Sequence, residues 1–304
     1  MNKASSTRNQ PLIGYQTRKP AILRLLNKSQ GALIGIMLVS LWLGLALFGP
    51  WVVNADPNRQ DLSSTLLPPA WDPDGNGTHP LGTDHLGRDM LTRIVYGART
   101  SLVTSVAAVM LGGLIGTLSG LIAAEWGGWV DEVIMRIVDI QLAIPFILLG
   151  ITVMAMLGAS IPNLVLVLVL FSWVIYARVV RSEVLNLRER EFVLSAYCLG
   201  VPRWQIVLRH LLPNVMGLIL AVGTLELANV IILESALSFL GVGVRPPQVS
   251  WGAMLADGRN YLTVAWWLTT LPGLTITITI LGVNLVGDWV TEVLDPRRRW
   301  KSIR

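Results

Sequence analysis

The chain has 304 residues, of which 53% are hydrophobic and only 14% are charged. Soluble globular domains carry about 25% charged residues, so this composition excludes an ordinary soluble domain and indicates a membrane protein. The mean hydropathy of +0.58 agrees with this interpretation. The single cysteine, Cys198, excludes an internal disulfide and a cysteine-based zinc or iron–sulfur site. The formal net charge of +5 lies mainly at the chain ends and in loops, where it indicates membrane topology rather than nucleic-acid binding.

Six apolar stretches are long enough to cross a bilayer as helices, since about 20 residues span its roughly 30 Å of hydrocarbon. They lie near residues 31–53, 101–124, 137–158, 162–180, 214–234 and 264–290. The sequence therefore predicts an all-α polytopic membrane protein, with a polar segment over 1–30 and a transmembrane domain over 31–304. In the second stretch, Gly112, Gly116 and Gly120 repeat every four residues, a pattern that lets another helix approach closely.

Basic residues predict the orientation of these spans. Most of the 24 lysines and arginines lie in three segments that share one side of a six-span chain, namely 1–30, 181–213 and 297–304. By the positive-inside rule this side is the cytoplasm, so we expect both termini to be cytoplasmic. The segment 54–100 is then the largest external loop, and 181–213 is a long internal loop between the fourth and fifth spans.

The chain lacks the motifs of an ATPase or a hydrolase. Its four lysines all lie before the first span or after the last, so no P-loop can form within the membrane domain. No G-x-S-x-G or H-E-x-x-H motif occurs. His79 and His85, with Asp84 and Asp89 nearby, could in principle bind a metal, but histidines six residues apart in a loop rich in proline and glycine favour a structural role. We therefore predict no catalytic residue, no metal site and no cofactor in this chain.

The internal loop contains two amphipathic segments. In the first, Phe192, Ala196 and Leu199 share one helical face, and Gly200 provides a helix stop. The second leads to Pro213, which suits the first turn of the next span. Periodicity alone leaves two interpretations open: a helix that lies on the membrane surface, or a helix that docks a partner protein.

The spacing of this loop resembles the E-A-A-x-x-x-G-x(9)-I-x-L-P loop of bacterial ABC importer permeases. Three positions of that pattern differ here, and they hold Leu194, Ser195 and His210. The resemblance implies that the loop engages a cytosolic ATPase. The expected coupling residues are Glu191, Ala196, Gly200, Leu212 and Pro213. Of these, we expect Ala196 and Gly200 at the docking surface, because a small residue and a helix stop allow a partner to approach closely.

Further segments resemble the second permease subunit of the dipeptide, oligopeptide and nickel importers. They are residues 79–89 (HPLGTDHLGRD), 96–102 (YGARTSL), 235–241 (SALSFLG), 251–255 (WGAML), 287–288 (GD) and 294–297 (LDPR). The resemblance implies a type I, MetI-like permease fold in a bacterial inner membrane. Apart from membrane lipid, the implied partners are a homologous sister permease that completes the pore, two cytosolic ATPases that bind the ATP, and an external solute-binding protein.

Five polar residues inside the predicted spans are candidates for a solute path, because polar groups at membrane depth are costly and often functional. They are Glu226, Asn229, Glu234, Asn284 and Asp288. They could line a hydrated path, or they could bond to neighbouring helices.

The predicted function is that of a non-catalytic permease subunit that forms half of the pore of an ATP-driven importer for dipeptides or oligopeptides. A nickel or nickel-chelate importer is the nearest alternative, because its permeases share the same signatures. A stand-alone channel or secondary carrier ranks lower, since it would leave the long internal loop unexplained.

Overall fold

The computed structural model describes residues 30–53 and 55–294, most of which are helical. The α-helices of this part are α1 (Gln30–Val53), α2 (Met90–Trp126), α3 (Gly128–Ala143), α4 (Phe146–Leu157), α5 (Ile161–Arg188), α6 (Glu191–Cys198), α7 (Arg203–Ile206), α8 (Leu212–Phe239), α9 (Trp251–Gly258) and α10 (Trp267–Leu294). The basic ends that predicted the orientation, within 1–29 and 297–304, lie outside the described residues, as does most of the 294–297 signature.

Within the described ranges, five helical segments are long and apolar enough to cross a membrane. They are α1, α2, α5, α10, and the segment from Arg203 to Phe239 that joins α7 and α8. The pair α3 and α4 adds a sixth if it is counted as one span, although its two helices are bent by 93°. This pair replaces the continuous helix expected over 137–158. The break falls at Ile144, whose extended backbone (φ −93°, ψ 123°) suits a residue that precedes proline, and Pro145 has no N–H to continue the helical bonds.

Among the unbroken helices, α2 and α5 extend furthest beyond the stretches expected from hydropathy. Helix α2 begins inside the expected 54–100 loop, because the Asp89 carboxylate caps it by accepting the backbone N–H of Thr92 at 2.8 Å. Helix α5 continues to Arg188, so the first part of the expected internal loop is helical. We call residues 55–89 the long loop and residues 189–211 the short-helix loop.

Helices α2 and α5 pack backbone to backbone along the glycine repeat. A Cβ added to Gly116 would lie 2.2 Å from the carbonyl oxygen of Trp173, and one added to Gly120 would lie 2.6 Å from that of Ala177. Both distances are shorter than carbon and oxygen atoms tolerate, so no side chain fits unless the helices separate. The close helix approach predicted from the glycine spacing therefore has α5 as its partner.

We expect Gly116→Ala to lower the thermal unfolding temperature of the detergent-solubilised protein, measured by circular dichroism. The added methyl group overlaps the Trp173 carbonyl and forces the two helices apart, at a cost of about 1–3 kcal/mol. Gly44→Ala in α1 is the matched control, because a Cβ there meets nothing within 4 Å. An unfolding temperature for Gly116→Ala equal to that of the Gly44→Ala protein would contradict this packing.

Two tryptophans connect α9 and α10 to α2 and the long loop. Trp251, at the start of α9, is fully buried and donates its Nε1–H to the carbonyl oxygen of Ile94 at 3.0 Å. Its ring packs edge-on against Trp42 of α1, with centroids 5.4 Å apart. Trp267, at the start of α10, donates to the carbonyl oxygen of Thr83 at 3.1 Å. The long loop and α9 therefore share the end of the bundle where α2 begins.

Candidate functional site

The short helix α6 lies at the opposite end of the bundle and has a defined C-terminus. Gly200 has a φ of +74°, and its N–H donates to the carbonyl oxygen of Tyr197 at 3.0 Å. The N–H of Val201 donates to the carbonyl oxygen of Ala196 at 3.1 Å. These two bonds form a Schellman motif, in which glycine accommodates the left-handed residue. A Cβ at Gly200 would meet nothing within 4 Å, so the residue is needed here for its backbone conformation rather than for space.

One face of α6 is buried against the transmembrane helices. Val193 is fully buried and Ala196 is only 6% exposed, and both belong to an apolar cluster with residues of α2, α5 and α8. The stripe expected from the sequence does not form this face. Phe192 is 46% exposed and Leu199 is 82% exposed.

The other face of α6 is open. Its shallow surface depression is lined by Glu191, Leu194, Ser195, Cys198 and Leu199, which we call the exposed face of α6. Ala196, expected at the docking surface, instead points into the protein. The reason is that two apolar stripes of this helix share Ala196, and the stripe through Val193 is the one that packs into the apolar cluster.

Leu212 and Pro213 lie beyond a π-helical turn, Val207–Leu211, in the first turn of α8. Leu212 is partly buried and packs against the same apolar cluster as the buried face of α6. Pro213 is exposed and lies in the first turn of α8, directly after the π-helical turn. Leu212 therefore supports α6 from behind, and neither residue lines its exposed face.

A buried carboxylate anchors α6 to the end of α2. The Tyr197 hydroxyl donates to the carboxylate of Glu125, with distances of 2.8 Å to Oε1 and 2.7 Å to Oε2. Glu125 is 1% exposed. Arg188, at the end of α5, places its Nε 3.9 Å from Glu125 Oε2 and donates to the carbonyl oxygen of Ala124. The sequence analysis did not identify these residues. The sequence does contain a signal for one of them, because Glu125 is an acidic residue at the end of a long apolar run.

The five candidates for the solute path separate into two groups. Glu226 is 3% exposed, and its Oε1 accepts a hydrogen bond from Asn229 Nδ2 at 3.1 Å. Glu234 is fully buried, and Ser238 donates to its Oε1 at 2.9 Å. Both carboxylates thus lie inside the subunit.

Three of these candidates are more accessible in this single chain. Asn229 and Asp288 are exposed, and Asn284 is half-buried. Burial therefore favours these amides and Asp288 over the two glutamates as groups that can meet a solute.

Four charged side chains form a cluster at the end of the bundle where α2 begins. Asp84 of the long loop bonds to Arg93 of α2 and lies 2.6 Å from Arg88 Nε. Asp257 of α9 lies 3.1 Å from Arg88 Nη2 and 3.0 Å from Arg93 Nη2. We call these four residues the charge cluster. It ties the long loop, α2 and α9 together, and its formal charge is zero.

The electrostatics of the charge cluster favour an ionised Asp84. Burial alone would raise the pKa of this carboxyl group, but the charges of Arg93 and Arg88 and the backbone N–H of Arg88 hold its pKa below the ordinary value of 3.8. A lowered pKa in the folded state means that ionised Asp84 stabilises the fold above that ordinary value. This contribution is lost only as the pH falls through the folded-state pKa.

We expect Asp84→Asn to lower the unfolding temperature markedly near neutral pH, because two buried arginines then share Asp257 alone. Removing one partner of a buried ion pair costs about 3–5 kcal/mol. The difference from the wild type should shrink progressively as thermal scans are taken further below pH 3.8, because the wild-type carboxylate becomes protonated only as the pH falls through its lowered folded-state pKa. Asp74→Asn, at an exposed position of the same loop, is the control. A pH-independent difference would show that the charge of Asp84 is not the cause.

The two histidines of the long loop have structural contacts. His79 Nδ1 lies 3.0 Å from Asp89 Oδ1, and the His85 ring stacks on Tyr261 with centroids 5.2 Å apart. Within residues 30–53 and 55–294, no three His, Cys, Asp or Glu side chains come together as a metal-ligand set.

Comparison with known proteins agrees with this architecture. A chain of the MetNI methionine ABC transporter, in an inward-facing conformation, has a similar fold, with a TM-score of 0.53 over 68% of this chain and 98% of that chain, at 18% identity. The helices and this likeness define a multi-span protein with an ABC transporter permease fold, as the sequence predicted. Residues 112–300 match the family model described as "Binding-protein-dependent transport system inner membrane component".

Relatives of nearly full length point to the same family. The Di/tripeptide transport system permease protein DppC of Pseudomonas aeruginosa is 38% identical over 269 residues, which cover 88% of this chain and 89% of that protein. The Dipeptide transport system permease protein DppC of Alkalihalophilus pseudofirmus is 38% identical over 274 residues, which cover 90% of this chain and 88% of that protein. The chain therefore belongs to the family of binding-protein-dependent transport system inner membrane components, which confirms the resemblance stated above.

Proposed function

We propose that this chain is the permease subunit of an ATP-driven importer of short peptides and that α6 receives the cytosolic ATPase. Family membership supports the transport role. The observation that carries the coupling role is the exposed face of α6, which is held on a short helix outside the long apolar helices and is anchored from behind by Val193 and Ala196.

Exposed apolar side chains around α6 support a protein partner. Phe192 is 46%, Leu194 is 48% and Leu199 is 82% exposed, and Trp204 and Leu208 of the same loop are 58% and 55% exposed. A group of large apolar side chains in a loop that also carries many charges is typical of a protein–protein contact. With the short-helix loop in the cytoplasm, as the basic residues predict, an ATPase can reach it.

The solute we propose is a dipeptide or a slightly longer peptide. The two relatives described above are named for dipeptide and di/tripeptide transport, which favours peptides over nickel. We further propose that a homologous permease completes the pore in a bacterial inner membrane, that both termini are cytoplasmic, and that an external binding protein delivers the solute to the side of the long loop. ATP is bound by the ATPases and not by this chain.

Cys198 provides a direct test, because it is the single cysteine of the chain and is exposed on α6. We expect a membrane-impermeant maleimide to label it in inside-out vesicles but not in right-side-out vesicles. Bound ATPases should protect it, and stripping them with urea should restore labelling. Labelling from the external side would contradict the orientation, and equal labelling with and without bound ATPases would contradict docking at this face.

A second test alters the exposed face without disturbing its support. We expect Leu199→Asp to weaken retention of the ATPases during purification by about tenfold or more, because a charge replaces an apolar group at the centre of the contact. Leu62→Asp, at a residue 72% exposed in the long loop, is the control. Full retention of the ATPases by the Leu199→Asp protein would contradict the proposed docking face.

A further inference from the structure

Besides apolar packing, the side-chain contact that fixes α6 to α2 is the hydrogen bonding between Tyr197 and Glu125 described above. The Glu125 carboxylate lies in the last turn of α2, where the partial negative charge of the helix end disfavours another negative group. It is also 1% exposed, and a buried carboxylate is costly unless it is well bonded. An apolar pair at this place would hold two helices together at lower cost.

The surroundings of Glu125 explain how the carboxylate is tolerated. Tyr197 donates to it from α6, and Arg188 approaches from the end of α5 at 3.9 Å. Arg188 also donates to the Ala124 carbonyl oxygen, one of the carbonyls that α2 leaves unbonded at its end. Three helices thus meet at one carboxylate.

Directional bonds and apolar packing constrain α6 differently. The apolar contacts of Val193 and Ala196 hold α6 against the cluster that it forms with residues of α2, α5 and α8, but such contacts have no fixed direction. The hydroxyl bonded to Glu125 fixes one point of α6 relative to the end of α2. Burial, followed by the hydrogen bond to Glu125, raises the pKa of Tyr197 to about 12, so the hydroxyl keeps its proton at physiological pH.

Helix α2 is suited to carry a displacement across the protein. Its 37 residues correspond to about 55 Å, and its glycines hold it tightly against α5. Arg93, in its first turn, belongs to the charge cluster with Asp84 and Asp257. A movement of α6 that is imposed on Glu125 therefore reaches the long loop and α9 through one helix.

We infer that Tyr197 and Glu125 are positioning residues that transmit movement of α6 to α2, so that ATP hydrolysis and solute transfer stay coupled. This inference rests on the proposed function. It predicts a defect in coupling that is separate from docking, because the Tyr197–Glu125 contact lies behind α6 and not on its exposed face.

The test uses the assembled transporter in proteoliposomes, with its ATPases and binding protein, and compares the wild type with Tyr197→Phe. Phenylalanine keeps the ring packing and loses the hydroxyl. We expect the uptake of radiolabelled dialanine per ATP hydrolysed to fall about fivefold or more, the lower end of usual coupling effects. Retention of the ATPases and protection of Cys198 should not change.

Three further single variants and one double variant separate coupling from stability. Val193→Ala removes buried packing from α6 but no hydrogen bond, so it should lower the unfolding temperature and leave the ratio of uptake to hydrolysis unchanged. Glu125→Gln keeps an acceptor for Tyr197 and should keep most of the wild-type ratio of uptake to ATP hydrolysis. Glu125→Leu removes the acceptor and should lower this ratio. The double variant Glu125→Leu with Tyr197→Phe should lower the ratio of uptake to ATP hydrolysis little further than either single change does.

The outcomes distinguish the two proposals. A wild-type ratio in Tyr197→Phe, with ATPases bound, would overturn this inference and leave the proposed function intact. Loss of ATPase binding in Tyr197→Phe would also overturn it, because the residue would then act in docking. If the wild-type chain itself binds no ATPase, the proposed function fails and this inference fails with it. If Tyr197→Phe does not assemble, Glu125→Gln and Glu125→Leu provide the same comparison.

Discussion

The close contact between α2 and α5 is the constraint on which the rest of the structure depends. Helices in a bilayer gain little from the hydrophobic effect against one another, so they associate through close packing and polar contacts. Gly116 and Gly120 bring the two backbones together, and any side chain there would push them apart. The same pair of helices then supports α6 at one end, through Glu125 and Arg188, while α2 alone contributes Arg93 to the charge cluster at the other.

The positions of the helices could be predicted from the sequence because hydrocarbon permits few alternatives. A long apolar run in a bilayer must satisfy its own backbone bonds, so it forms a helix. Boundaries were less predictable. Helix α2 extends through Arg93, a charged residue that hydropathy assigns to a loop but that is 4% exposed because Asp84 and Asp257 neutralise it. The bend at Pro145 was concealed by apolar residues on both sides.

The site was harder to predict because its contacts join residues that are distant in the sequence. Tyr197 and Glu125 are separated by 72 positions, and no local pattern links them. Residues 79–89 contain Asp84 and Arg88, but Asp257, which completes the charge cluster, lies in α9. The buried face of α6 was ambiguous for a different reason. Ala196 belongs to two apolar stripes, and only the tertiary contacts of Val193 decide between them.

The bend between α3 and α4 determines which side of this subunit can touch lipid. A broken helix leaves N–H and C=O groups that a continuous one would bond internally. Phe146, at the start of α4, packs against Phe171 in the interior of α5, with centroids 4.8 Å apart, so the bend lies far from either end of that helix. Ile144, at the bend itself, is 43% exposed. Acyl chains offer no hydrogen-bond partner, and this side must therefore adjoin protein or water. The subunit therefore leaves its side along α3 and α4 to be covered by protein or by water.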